Sequence, residues 1–418
     1  MEADERGKAI DMSSWLLLTV NSVTFGGLLF LLSAGFSLIF GLMRIPNLTH
    51  GSLFMLGAYF GATFVGGVLA SNLEISNARF GFLQPFLPGF LVALGFASIP
   101  FCTRMLAGRL GLSGLWRPLL SGMLAIVTLI VAAIVHILLR GSVPPNPWSF
   151  LLVAILIGLA TQAAERWSVR FLLGTFVAAA IAMATRGVQI NYWAAALLAA
   201  ALVAVFGTVI ERLLLRRLPN QPLAQVLVTL GISFMVADFC LMVWGGDPIN
   251  VATPEGLSGF LRTGPLVVPY YRLTVIVIAV IVAIGLWLLL DRTRLGAMIR
   301  AGVDDPDMAR VVGIRVSLLF TIVFALGAGL AAFAGIIGGP ILSAYPGLDQ
   351  DMLPLALVVV ILGGTGSLLG SFVGSIIIGF IYNFGQAMFP ELAYFVLFLP
   401  MLLVLLLRPQ GLFGRFVA

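Results

Sequence analysis

Charge is scarce in this chain of 418 residues: 10% of positions are charged, 61% are hydrophobic, and the mean hydropathy is +1.12. Soluble domains average about 25% charged and about 45–50% apolar residues, so a water-soluble fold is excluded and a polytopic membrane protein takes its place. Lysine is nearly absent. Lys8 stands alone and is followed by Ala9 and Ile10, so no Gly-x-x-x-x-Gly-Lys-[Ser/Thr] loop exists to cradle nucleotide phosphates. Cysteine is limited to Cys102 and Cys240, both in or beside apolar runs, which rules out a disulfide framework and a cysteine-rich metal site. The two histidines, His50 and His136, are far apart and no acids cluster within the apolar runs, so neither a metal-ligand set nor an acid–base pair is visible. The formal net charge of +6 resides almost entirely in arginines scattered over short loops, not on a basic face for nucleic acid.

What is present is a succession of apolar runs, and the fold class they predict is an all-α polytopic membrane protein with about thirteen segments. They run from Trp15 to Met43, Gly51 to Ala70, Phe86 to Phe101, Leu119 to Leu139, Trp148 to Ala164, Phe171 to Ala184, Tyr192 to Ile210, Val226 to Trp244, Leu273 to Leu290, Leu318 to Leu342, Leu353 to Leu362, Leu368 to Gly385 and Ala393 to Leu407. The first is far longer than a signal-peptide core and reads as a retained helix. The loop 291–316 collects Arg292, Arg294, Arg300, Arg310 and Arg315, which puts it inside. Alternation from there leaves most basic residues on the inner side, with the N-terminus outside and the C-terminus inside.

Phe171 to Ala184 and Leu353 to Leu362 are too short for a ~30 Å hydrocarbon core at about 1.5 Å per residue. The second runs into Gly363, Gly364 and Gly366 and then a further helix. This is either a broken-helix region near the C-terminal third, of the kind that lines transport pathways, or a tight glycine turn between tilted helices. Glycines at small-x-x-x-small spacing (Gly57 and Gly61, Gly335 and Gly339, Gly370 and Gly374) allow close helix approach, within the chain or across a dimer. In the loop 291–316, Asp305 is set to N-cap a short helix, Pro306 occupies its first position, Asp307 suits its positive end and Gly313 closes it, with Asp304 before and Arg310 within. Met308, Val311 and Val312 make one side apolar, so this helix either docks on a partner or merely connects two spans.

Several stretches carry a resemblance: Ile45-Pro-Asn-Leu-Thr-His-Gly-Ser-Leu-Phe-Met-Leu-Gly-Ala-Tyr59, Glu211-Arg-Leu-Leu-Leu-Arg-Arg217 with Pro222-Leu-Ala-Gln-Val-Leu-Val-Thr-Leu-Gly231, the Asp305-Pro306 loop, Leu362-Gly-Gly-Thr-Gly-Ser367, and Arg408-Pro-Gln-Gly-Leu-Phe-Gly414. In order over about three quarters of the chain, they resemble the LivH-type permeases of branched-chain amino-acid ABC importers, the LivH/LivM family. The resemblance implies a permease subunit in the bacterial inner membrane that takes branched-chain or other small apolar amino acids. It also implies a second permease, identical or paralogous, two cytoplasmic ATPase subunits carrying ATP and Mg, and an external solute-binding protein. Asp304, Asp305, Pro306, Asp307, Arg310 and Gly313 would form the coupling helix, and the path would run between the two permeases. Relatives for urea, amides or small carboxylates, and a stand-alone secondary transporter or channel, are the competing readings.

The chain departs from the family in two places. Ser52 stands where the family often has an acid after His-Gly. An extra block of four segments, residues 81–190, divides a nine-segment core into 1–80 and 191–418; the even number preserves the flanking orientation. Candidates for path or gate are Asn47, His50, Gly51, Asp238, Gly363, Gly364 and Gly366. Asp238 falls mid-span, where an acid costs roughly 2.5–3.5 kcal/mol unless it meets protein or water, so it lines a path or bonds another helix. His50, with Asn47, reads first as a cap for the following helix and second as a gate. His136 reads as interfacial rather than as a proton relay. A topology reporter fused after Arg315 is expected to read cytoplasmic; a periplasmic signal there overturns the orientation.

Overall fold

The computed structural model describes residues 12–43, 47–66, 191–218, 221–263, 266–364, 366–408 and 411–413. The chain divides into two compact units, Met1–Ala62 with Asn191–Ala418, and Thr63–Ile190. Of the second unit only the end of one helix is described, so the four segments of the extra block, with Cys102 and His136, lie outside the described residues.

The described elements follow in order as α1 (Met12–Met43), α2 (Thr49–Gly66), α3 (Tyr192–Leu213), α4 (Pro222–Trp244), β1 (Phe260–Thr263), β2 (Leu266–Pro269), α5 (Tyr270–Arg292), α6 (Arg294–Asp304), α7 (Pro306–Val311), α8 (Val316–Leu342), α9 (Leu348–Gly363), α10 (Leu368–Met388) and α11 (Ala393–Leu407). Among the described residues, the apolar runs expected for the core fall on helices; the end of one of them, residues 67–70, lies outside the described residues. Six helices among the described residues (α1, α3, α4, α5, α8 and α10) are long and apolar enough to cross a membrane. β1 and β2 form an antiparallel hairpin pairing Phe260 with Pro269 and Thr263 with Leu266.

Burial sorts the helices that composition could not. α1 is apolar on all sides because it is ringed, packing on α10, α8, α5 and α9. α5 is equally apolar but buries only one stripe, Tyr271, Val275, Ala279 and Leu286, and leaves Val277, Ile281, Ile284 and Leu288 exposed, as a helix bordering lipid does. The glycine pairs are consumed inside the chain. A Cβ on Gly57 would collide with the Ala332 carbonyl, and one on Gly335 with that of Phe54, so α2 and α8 touch backbone to backbone. Gly363 and Gly370 meet in the same way, and Gly364 and Gly366 have φ of 97° and 77°. The α9–α10 connection is therefore the tight glycine turn, with the Gly41 end of α1 against Gly366.

Pro340 interrupts α8 near its end and has no N–H to give the Ile336 carbonyl. Tyr192 at the start of α3 supplies the missing donor, its Oη 2.8 Å from Ile336 O, and Tyr271 at the start of α5 donates to Ile337 O at 2.6 Å. The two hydroxyls also lie 2.6 Å apart, so two hydrogens are shared among three short contacts. This pins three helix ends together. Tyr192→Phe is expected to cost about 1–3 kcal/mol, as loss of a partner for a buried carbonyl does. The loss should shrink in a Pro340→Ala background, where residue 340 regains its N–H. Unfolding in detergent across the double-mutant cycle measures this, and equal losses in both backgrounds would refute the pairing.

Candidate functional site

Two helices begin within the thickness of the bundle, and their first turns meet. α1 ends at Met43, yet His50 at the start of α2 has Nε2 2.9 Å from the carbonyl of Leu32. Leu32 lies three turns back, roughly 16 Å at about 1.5 Å per residue, so α2 starts level with the middle of α1. Its flank on α4 agrees: Leu48 N–H donates to Thr229 Oγ1 at 3.4 Å, and Ser52 Oγ lies 2.6 Å from Ser233 Oγ one turn further along. α9 follows Gly347, whose φ of 101° turns the chain inward, and its 16 residues give about 24 Å, short of a full span.

At this junction stands a carboxylate that the apolar runs did not contain. Asp349, 4% exposed, takes Ser52 Oγ at 3.0 Å and Ser233 Oγ at 3.3 Å on Oδ2, while Oδ1 has no hydrogen-bond partner. It lies in the first turn of α9 and against the first turn of α2, where both helix dipoles favour negative charge. Asn47 Oδ1 accepts the Thr49 N–H at 3.2 Å and the Thr49 hydroxyl, and its buried Nδ2 is unpartnered, as is His50 Nδ1. Buried polar atoms are ordinarily paired, so three free ones on two adjoining helix starts single out this junction. Among the described residues no group of three His, Cys, Asp or Glu is arranged to hold a metal ion.

The structure divides the expected site residues among four places. Asn47, His50 and Gly51 are at the junction, but the cap of α2 is Asn47; the helix begins at Thr49, which puts His50 inside its first turn and turns its ring to α1. Asp238 is exposed on the outward face of α4 beside Phe234, Met235 and Met242, away from the buried Ser233 face. Gly363, Gly364 and Gly366 form the turn at the far end of α9. Asp305, Asp307, Arg310 and Gly313 make the capped α7: Asp305 Oδ1 accepts from Asp307 N at 3.0 Å and Met308 N at 2.9 Å, Arg310 pairs with Asp307 at 2.6 Å, and Gly313 has φ of 90°. Pro306 is its first residue, and Asp304 ends α6, a helix the sequence reading left within the loop.

Asp349 lies outside the expected segment because the uncharged run starts at Leu353, after the acids at 349 and 351. Acids at 349 and 351 after Gly347 were the available signal for an earlier start. Glu211 is a second buried acid outside the expected runs, accepting the Thr321 hydroxyl at 2.8 Å and joining α3 to α8.

These features define a helical membrane transport component. Residues 168–405 match the family described as the permease component of the branched-chain amino acid transport system. The chain belongs to that family: it is a permease subunit of a binding-protein-dependent ABC importer and a transport component, not an enzyme. It is 30% identical to the high-affinity branched-chain amino acid transport permease BraD of Pseudomonas aeruginosa, over 50% of this chain and 70% of that protein. It is 26% identical to LivH of Escherichia coli, over 51% and 71%, and 30% identical to the ribose import permease RbsC of the same species, over 49% and 64%. No solved structure matches.

A Cβ on Gly51 would sit 2.7 Å from the Asp349 carbonyl oxygen and 2.9 Å from Leu353 Cβ. Gly51→Val should therefore part α2 from α9 and lower stability by about 1–3 kcal/mol, the usual cost of overpacking, read as a reduced melting temperature in detergent. An unchanged melting temperature would show that the two helix starts do not abut.

Proposed function

We propose that the solute is a branched-chain or other small apolar amino acid, carried by alternating access between this permease and a second one, identical or paralogous. The relatives BraD and LivH support the solute class, and RbsC makes a pentose the competitor. The observation that carries the amino-acid reading is the buried Asp349 carboxylate with a free oxygen, which an ammonium group meets with opposite charge as well as a hydrogen bond, where a sugar hydroxyl brings the hydrogen bond alone. An external binding protein delivers the solute, and two cytoplasmic ATPase subunits holding ATP and Mg supply the power. The chain lies in the bacterial inner membrane with its N-terminus outside.

Asp304, Asp305, Pro306, Asp307, Arg310 and Gly313 form the surface that meets an ATPase subunit. α7 buries Ala309 and leaves Met308, Val311 and Val312 exposed, with Val311 at 82%. Apolar side chains on a water-facing helix with complete caps are what a docking element needs, and the direct continuation into α8 passes its movement to the bundle core. Asp238, exposed on α4, is the side chain offered to the second permease and the path, because an acid facing lipid at that depth is costly.

Met308→Asp with Val311→Asp should cut ATP-dependent leucine uptake in reconstituted vesicles at least tenfold and release the ATPase subunits on purification. The amount of permease in the membrane should stay unchanged. Uptake by the permease alone, driven by an ion gradient and indifferent to these substitutions, would sink the coupling assignment.

A further inference from the structure

The junction of α2, α4 and α9 carries free hydrogen-bonding capacity of both signs. Asp349 Oδ1 is a buried acceptor without a donor, and the Ser52 and Ser233 oxygens beside it can accept further hydrogens. Asn47 Nδ2 is a buried donor without an acceptor, just ahead of the first residue of α2. From Thr49, which Asn47 caps, to Ser52 the rise is about 4.5 Å at about 1.5 Å per residue, a separation within the reach of an α-amino acid hydrogen-bonded at each end. Among the described residues no salt bridge reaches Asp349. An acid inside a membrane protein is retained where a cation or water meets it.

We propose that this junction is a solute site within the membrane: Asp349, with Ser52 and Ser233, receives the ammonium group of the passing amino acid, and Asn47 receives its carboxylate at the N-terminus of α2. This rests on the amino-acid reading above. In the structure the site is shut, with Ser52 and Ser233 both turned onto Asp349. Admission requires α4 and α9 to part from α2, and the arriving ammonium takes over the acceptors that the two serine hydroxyls now occupy. The helix starts make this cheap, because a first turn can move without breaking hydrogen bonds along the rest of the helix. Two discontinuous helices whose N-termini face a midplane site are a recurring transporter device, and here one of them brings its own counter-charge for the ammonium.

The test uses the complete transporter, with its ATPase subunits and binding protein, in proteoliposomes supplied with radiolabelled leucine. Asp349→Asn should reduce uptake at least tenfold while the complex still assembles with its ATPase subunits on purification. Because Ser52 Oγ is 3.0 Å from the carboxylate, Asp349→Ser combined with Ser52→Asp returns a negative charge to nearly the same point from α2. That pair should recover at least a third of wild-type uptake, and the neutral pair Asp349→Ser with Ser52→Asn should not. Uptake within twofold of wild type for Asp349→Asn, or equal recovery by the charged and neutral pairs, overturns the site and leaves the transport reading standing. A wild-type complex that carries ribose and no amino acid overturns the solute reading, and this site with it.

Discussion

A polar group placed where water does not reach must find its partner inside the protein, and this requirement organises the bundle. Many of the described groups of this kind are hydroxyls bonded back along their own helix, as Ser22 is to Leu18 O and Thr208 to Ala204 O; others sit where helices start, stop or break. α2 begins level with the middle of α1, and Asn47 serves its first amide while His50 bonds back to Leu32. α8 is broken by Pro340, and Tyr192 and Tyr271 reach in from two other helices to serve the carbonyls around it. α3 and α8 are joined by Glu211 and Thr321. Each irregularity becomes a fixed point between helices. Elsewhere they are held by close approach, as where Gly57 and Gly335 bring α2 and α8 into backbone contact.

The Asp349 junction gathers three groups for which this rule is not met. Half of the carboxylate is bonded, half is free, and an amide and an imidazole nitrogen nearby are also unpaired. Elsewhere among the described residues the helices meet by close backbone approach, as α2 and α8 do, which is how a scaffold behaves. An unfinished polar cluster between two helix starts is what a moving part requires, because its bonds can be exchanged for those of a visitor at little net change. The cytoplasmic end shows the opposite arrangement: α7 has all its own ends capped and turns apolar side chains to water, so its unmet need is a partner surface.

Much of this was legible in the sequence. The helices of the core coincide with uncharged apolar runs because length and apolarity are local properties. Asp305, Pro306 and Gly313 announced α7 because a cap reaches only two or three residues along its own chain. The helical identity of residues 294–304 was not read, since arginines break the apolar run there. Asp349 fell outside its helix because the charges at 349 and 351 end the apolar run, although α9 starts at Leu348 and carries both acids in its first turn.

Composition and periodicity by themselves determined a helical membrane protein, the order of its spans, the absence of a nucleotide loop and the capped cytoplasmic helix. Which way each helix faces was decided by the tertiary structure. α4 carries Gln225, Thr229 and Ser233 at four-residue spacing on one face and Asp238 on the other; the sequence separates the two faces but does not say which is inside, and packing against α2 and α9 buries the first and exposes the second. The junction itself joins residues 181 and 297 positions apart in the chain. Hydrogen bonds of that reach depend on where three helices begin in depth, a quantity set by the bundle as a whole and written in no single stretch of sequence.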